Sequence, residues 1–181
     1  MGHESNIITP GNKPFIATRF LPKTGQTITY LLRDDGTYKK GWSIGSRFVV
    51  KTIGGERIVY DRATHLFWAG DADLAGGYNG NAFSWGAVIN YYTTLDFAGY
   101  TDWRLPNIFE LESIICFGAA SPAVYPATFL NVRTAPYNYW SSTSKHADPT
   151  KAWGIYFAAG ARNQLPKIEI HFSLGVRSGS P

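Results

Sequence analysis

Along the first third of the chain, apolar and polar residues alternate in short runs cut by turn formers. The runs at residues 27–32, 47–53 and 57–60 are rich in Thr, Val, Ile and Tyr, and Asp34-Asp35-Gly36 and Gly54-Gly55 separate them. Two β-hairpins are predicted here, with a further strand at residues 63–68. Residues 70–80, dense in Gly, Asp and Asn, read as a long surface loop. The spacing then turns helical. Ala87, Val88, Tyr91, Tyr92 and Leu95 recur at intervals of three to four after Ser84, which predicts a helix over residues 85–96 with Ser84 as its N-cap.

The next helix start is the best specified point of the chain. In Gly99-Tyr100-Thr101-Asp102-Trp103-Arg104-Leu105-Pro106-Asn107-Ile108-Phe109-Glu110-Leu111, the Asn107 side chain can accept from the Glu110 amide while Glu110 reaches back to the Asn107 amide, a capping box. Leu111, Ile114 and Ile115 make the buried stripe, and the helix is expected to stop near Phe117-Gly118 with glycine left-handed. Residues 118–138, carrying Pro122, Pro126 and Pro136, read as irregular loop. Strands are expected at residues 139–142, 152–158 and 167–174. In the last, Ile168, Ile170 and Phe172 alternate with Glu169, His171 and Ser173, putting the first set inside and the second in water. Two helices among short, mostly antiparallel β-runs make an α+β fold. Residues 1–20, polar and broken by Pro10, Gly11 and Pro14, read as an extended arm, and residues 21–181 as one domain with a hairpin region at 21–60.

At 181 residues the chain can bury a core without covalent staples, and Cys116, its one cysteine, excludes an intramolecular disulfide and a cysteine-cluster zinc site. On the apolar side of a helix Cys116 reads as a small buried hydrophobe. Aromatic residues are 15% of the chain and 19 glycines punctuate it, which suits a loop-rich fold. No run reaches the roughly 18 apolar residues of a membrane span, so no membrane insertion is expected. Met1-Gly2-His3-Glu4-Ser5-Asn6 lacks the apolar region of a Sec signal peptide. The net charge of +4 is scattered over Lys39, Lys40, Arg47, Lys51, Lys145, Lys151, Arg162 and Lys167 among others. Without a basic run, nucleic acid is not an expected partner, while an acidic glycan can still be attracted at long range.

Several motifs resolve into simpler readings. Leu21-Pro22-Lys23-Thr24-Gly25 matches the sortase pentapeptide but stands near the N-terminus, without the hydrophobic segment and basic tail that a sorting signal needs after it. Asp71, Asp73, Asn79 and Asn81 offer oxygen ligands at calcium-loop spacing, yet no glutamate closes the loop, so it reads as solvated and metal-free. The histidines are dispersed: His3 in the arm, His65 beside apolar residues as a structural imidazole, His146 in a polar loop, His171 outward on a strand. No nucleophile finds a base, so neither an enzyme nor a cofactor is expected. Tyr78 and Tyr137 are expected to be exposed, where a flat ring can stack on a sugar or anchor a protein partner.

The order of several motifs resembles a known family. Leu21 to Thr27, Asp34-Asp35-Gly36, Lys40-Gly41, Asp61 through Trp68, Trp85, Ala87, Leu95, the Gly99 to Leu111 run, Tyr139-Trp140-Ser141-Ser142-Thr143, Ala152-Trp153 and Val176-Arg177 together are similar to the C-terminal domain family of the Legionella collagen-like protein. The resemblance implies a C-type-lectin-like fold, shared with the variable proteins of diversity-generating retroelements and with formylglycine-generating enzymes. The copper-binding cysteines of those enzymes have no counterpart here. Trp68, Trp85, Trp103, Trp140 and Trp153 fall at family positions and are expected in packing. His65 replaces a usual glycine, and Tyr92 and Ser178 replace cysteines that commonly pair in the family. By resemblance, the ligand surface falls on the C-terminal half, at Tyr137, Asn138, Ser144, Lys145, His146, Lys151, Arg162, Asn163 and Gln164, with Tyr78 added for its ring.

The function expected is therefore a non-enzymatic module recognising a cell-surface glycan or receptor, in a phage virion as a fibre, tail or capsid-attached component. A bacterial surface or a Sec-independent secreted location is the alternative setting. The competing expectation is a structural or decoration subunit joined to a larger assembly through the N-terminal arm. With Cys116 lacking an intramolecular partner, thermal melts with and without reductant should overlay. A drop of several degrees in reductant would reveal an intermolecular bridge.

Overall fold

The structure, a computed structural model, describes residues 21–179. The arm expected over residues 1–20 lies outside the described residues. Strand β1 (Phe48–Ile53) and strand β2 (Glu56–Asp61) form a hairpin whose two turn residues, Gly54 and Gly55, have φ of 60° and 88°. Positive φ at both positions is what a tight two-residue hairpin turn requires, and glycine supplies it without a Cβ clash. Strand β3 (Leu66–Ala69) returns along β2, and β7 (Val176–Ser178) closes a four-stranded antiparallel sheet in the order β1-β2-β3-β7. At the β2–β3 turn His65 is exposed and left-handed, φ 57°, with its Nδ1 at 2.9 Å from the Tyr60 hydroxyl. This corrects its placement among apolar residues.

The first expected hairpin does not form. Asp34 accepts through Oδ2 from the Tyr30 amide at 2.8 Å and the Gln26 side chain at 3.0 Å, and through Oδ1 from the Thr37 amide at 2.8 Å. It thereby caps the one-turn helix α1 (Asp35–Tyr38). Amides that a strand would give to a neighbour go to this one carboxylate, so residues 27–32 stay out of any sheet.

A second short helix, α2 (Ile44–Arg47), leads into β1. Helix α3 (Trp85–Tyr92) ends four residues before the expected limit: the Thr93 amide and hydroxyl both return to the Asn90 carbonyl. Ser84 precedes the helix, but its side chain makes no cap bond. Helix α4 (Ile108–Ser113) carries the full capping box, Asn107 accepting from the Phe109 and Glu110 amides at 2.9 and 3.0 Å and donating its own amide to Glu110 at 2.8 Å. Leu111, Ile114 and Ile115 are buried as expected. The helix stops short of Phe117-Gly118, because the Cys116 and Phe117 amides go to the Ala123 and Thr24 carbonyls. Gly118 is needed for a different reason than a left-handed stop. A Cβ there would sit 1.9 Å from the Gly25 carbonyl oxygen.

Strands β4 (Tyr139–Ser144), β5 (Lys151–Tyr156) and β6 (Ala161–Pro166) make a second antiparallel sheet in that order. The residue pattern predicts no strand at β6, and the strand it predicts over residues 167–174 is absent. Ile168 is 88% exposed, while His171, Phe172, Ser173 and Leu174 are buried one after another. His171 bridges to Phe83 on one side and Phe172 to Tyr139 on the other. A segment wedged between two neighbours buries consecutive residues, which cancels the alternation. The stretch from 70 to 80 is likewise more than a surface loop. Gly76 and Gly77 are buried in a 3-10 segment (Ala75–Gly80), Asp71 accepts from Asn131 at 2.8 Å, and Asp73 pairs with Arg133 at 2.6 Å.

The core joins both sheets around Trp68, Trp103, Trp140, Phe97, Leu111 and Val176, while Trp85 and Trp153 are half-buried. Tyr92 is buried and donates to the Gly76 carbonyl at 2.9 Å. Arg47 and Asp61 are both fully buried, joined at 2.8 Å through Nε and 2.6 Å through Nη2, and Nη2 also donates to the Ser113 carbonyl at 2.8 Å. Asn107→Ala should lower stability by about 0.5–2 kcal/mol, and Trp103→Ala, whose indole N–H also leaves the Phe97 carbonyl unpaired, by about 3–5 kcal/mol. Denaturant melts check this; equal and negligible losses would show that the helix start and the packing are misassigned.

Candidate functional site

Strands β5 and β6 pair with Lys151 opposite Pro166, Trp153 opposite Gln164 and Ile155 opposite Arg162. Side chains alternate along a strand and directly paired residues share a face, so Lys151, Trp153, Arg162 and Gln164 project together from one face of the sheet. Helix α4 packs on this face over the buried Ile155. Arg162 is the meeting point. Its guanidinium lies 5.6 Å from the Phe109 ring centroid and 5.8 Å from that of Trp153, and its Nε donates to Glu112 at 2.6 Å while Nη2 engages the second oxygen. The Glu112 carboxylate holds the Arg162 guanidinium even further above its ordinary pKa, so the cation is permanent.

Phe109 and Glu112 also line an open groove of about 440 Å³ together with Leu21, Lys23 and Phe117. Phe109 and Phe117 are largely exposed. Neither they nor Glu112 and Trp153 were among the candidate residues. A signal was present: Phe109 falls off the stripe formed by Leu111, Ile114 and Ile115, so a capped helix had to turn a large aromatic ring to solvent.

The other candidates divide between the opposite face and one end of the sheet. Asn163 pairs with Gly154 on the opposite face, and its amide donates to the buried Asn138 side chain at 2.8 Å. Tyr137 is half-buried, edge-on to His171 and Phe172 at 6.2 and 5.4 Å, so its expected exposure is corrected. His171 is buried rather than outward. Its Nδ1 accepts from the Asn138 amide at 3.4 Å, which leaves the hydrogen of the neutral ring on Nε2, 3.2 Å from Glu169. At the sheet end, Lys145 and Lys151 meet through a 2.9 Å backbone bond, His146 is exposed, and Lys151 reaches Asp148 at 3.3 Å. Ser144 accepts from Lys167 at 2.6 Å, and that ammonium sits 4.0 Å over the Trp85 ring.

Tyr78 belongs to none of these groups. Its ring stacks at 4.1 Å on Phe83 and 3.8 Å on Tyr91, both nearly parallel to it. Two parallel rings at such distances must occupy opposite faces, so neither face of Tyr78 is open to a sugar. Asp71 and Asp73 are engaged within the fold, and among the described residues no three His, Cys, Asp or Glu side chains are placed to hold a metal ion. Among the described residues, too, no Ser, Thr or Cys side chain is hydrogen-bonded to a histidine. The arrangement offers stacking surfaces, a fixed guanidinium and amide donors, which are means of recognition.

The family model described as the Lcl C-terminal domain matches residues 57–177. No curated protein matches the chain significantly.

Burial pushes the His171 pKa below its ordinary value of 6.5, against a smaller upward pull from Glu169. A depressed folded pKa means that the unfolded chain binds the proton first on acidification. Stability from this group is therefore complete above about pH 6.5 and declines as pH falls below it. The melting temperature should fall as the pH is lowered below about 6.5, and His171→Gln should flatten that slope. An unchanged slope in the variant would assign the acid sensitivity elsewhere.

Proposed function

The chain belongs to the Lcl C-terminal domain family, and from that premise we propose that it is a non-enzymatic binding module of C-type-lectin-like fold that recognises a cell-surface glycan or receptor. The observation that carries the reading is the single face on which Lys151, Trp153, Arg162 and Gln164 stand together beside an open groove. An indole next to a fixed guanidinium and a primary amide presents an apolar plate with flanking donors, which suits a pyranose or an acidic saccharide. These groups stand on strands and on a capped helix, so little ordering is needed when a ligand arrives.

Of the residues first grouped as a ligand surface, this reading keeps Lys145, His146, Lys151, Arg162 and Gln164. Tyr137, Asn138 and Asn163 become support for the opposite face. Among the described residues no helix is long and apolar enough to cross a membrane. The setting we propose is a virion or a bacterial surface, with the ligand met from solution.

A glycan array with the intact chain tests the reading. The wild type should bind a subset of saccharides, with acidic ones losing affinity as salt shortens the electrostatic reach below roughly 8 Å. Replacing Lys145, Lys151 and Arg162 by alanine should weaken binding by more than about tenfold while leaving the melt nearly unchanged, since exposed ion pairs contribute at most about 1 kcal/mol each. Trp153→Ala should likewise weaken the binding of neutral saccharides, with some loss of stability because the indole is half-buried against the core. Full binding by both variants would move the site off this face.

A further inference from the structure

The segment between Gln26 and Lys40 holds an unusual combination of rigidity and exposed apolar surface. Ile28, Tyr30, Leu31, Leu32 and Tyr38 are between 51% and 79% exposed, all within eleven residues. With roughly 150–250 Å² for an aromatic ring and somewhat less for Leu and Ile, these five residues together present about 600 Å² of largely apolar surface. The largest apolar patch on a typical monomer is about 300–600 Å², and patches of that size and above mark contact sites.

A mobile loop would hide these side chains by collapsing. This one is held open. The Asp34 carboxylate takes the Tyr30 amide, the Thr37 amide and hydroxyl at 2.8, 2.8 and 3.0 Å, and the Gln26 side chain at 3.0 Å. Thr24 donates to Asp35, and Gly36 is buried so tightly that a Cβ would meet the Ile28 carbonyl oxygen at 1.9 Å. Arg33 and Lys39 are left-handed, with φ of 77° and 46°. Non-glycine residues in that region cost energy, on the order of 1 kcal/mol or more each, and persist only where the surroundings over-determine them. The segment thus spends its hydrogen bonds on a shape that turns its apolar side chains outward.

We propose that this patch is a self-association surface, the site at which a second copy of the chain docks. Two such patches facing each other would remove about 1,200 Å² from water, the lower end of what a specific, stable interface buries. The centre of the patch carries no free carboxylate, because Asp34 is turned inward onto its own backbone. The rim holds Arg33, Lys39 and Lys40, with the Lys40 ammonium 5.8 Å over the Tyr38 ring. Like charges on both rims repel, so the association must be apolar in origin and must strengthen as salt screens them. The proposal does not depend on the saccharide reading, whose residues lie on β5, β6 and the 145–151 loop.

Sedimentation of the full chain over about 1–100 μM tests it, a range that reaches weak as well as tight self-association. The wild type should exceed the monomer mass at the upper end, and more so in about 0.5 M salt, where the Debye length falls to a few ångströms. Leu31→Glu with Leu32→Glu should raise the dissociation constant by more than about tenfold while saccharide binding and the melt stay as in the wild type. Tyr30→Glu alone should act in the same direction, and it decides the question if the double variant fails to fold. A wild type that stays monomeric throughout, variants that assemble like the wild type, or assembly that dissolves in high salt would each overturn the proposal.

Discussion

The buried ion pair between Arg47 and Asp61 is the constraint on which the rest of the molecule depends. Both side chains are withdrawn from water completely, and Asp61 also accepts from the Ala63 amide and the Thr64 hydroxyl at 3.0 and 2.9 Å. Four donors on one carboxylate fix the β2–β3 turn. On the other side, the Arg47 guanidinium bonds to the last carbonyl of α4 at Ser113 and lies 4.4 Å from the Phe48 ring. One cation therefore joins the entry of β1, the end of β2 and the end of α4. An unpaired charge at such a depth costs several kcal/mol, so losing either partner penalises all three elements at once. With no disulfide to staple the chain, this pair and the aromatic core carry the tertiary order.

The position of α4 then determines the candidate recognition face. Its N-terminus is held by the capping box and by Arg104, which donates twice to Glu110 at 2.7 Å. Burial alone would raise the Glu110 carboxyl, but the Arg104 bonds and the Asn107 amide hold it below its ordinary value. Its C-terminus is held by Arg47. Between these two fixed ends the helix presents Phe109 and Glu112 to Arg162, so the guanidinium on β6 is aimed by a helix about fifty residues earlier in the chain. Buried pairing at one end of the helix thus becomes geometry at the surface.

Much of this was legible from residue order where a local rule was strong. The Asn107 to Glu110 box, the Gly54-Gly55 turn and the stripe through Leu111 each rest on contacts within a few residues, and each is found as expected. The α+β class follows from the same elements. What escaped is non-local. The alternation over residues 167–174 looks like a half-buried strand, but Phe83 and Tyr139 flank the segment and bury His171 and Phe172 side by side. Asp34-Asp35-Gly36 looks like a hairpin turn, yet one carboxylate captures the Tyr30 and Thr37 amides and makes a helical turn instead. For the site, residue type located the cations on the loop ends of the second sheet. It did not place them on faces, because strand β6 was missed and register alone separates Arg162 and Gln164 from Asn163. His65, at φ 57°, holds the β2–β3 turn in the left-handed region that favours glycine, a conformation residue order alone does not show.

A double-mutant cycle on the buried pair tests the central claim most directly. Arg47→Met and Asp61→Leu, made singly, should each destabilise the chain by about 3–5 kcal/mol, because each leaves a buried charge without its partner. Made together they should recover most of that loss, giving a coupling of more than about 2 kcal/mol. Single losses below about 1 kcal/mol that simply add would contradict the account, since the pair would then be an incidental contact rather than the tie between the first sheet and α4.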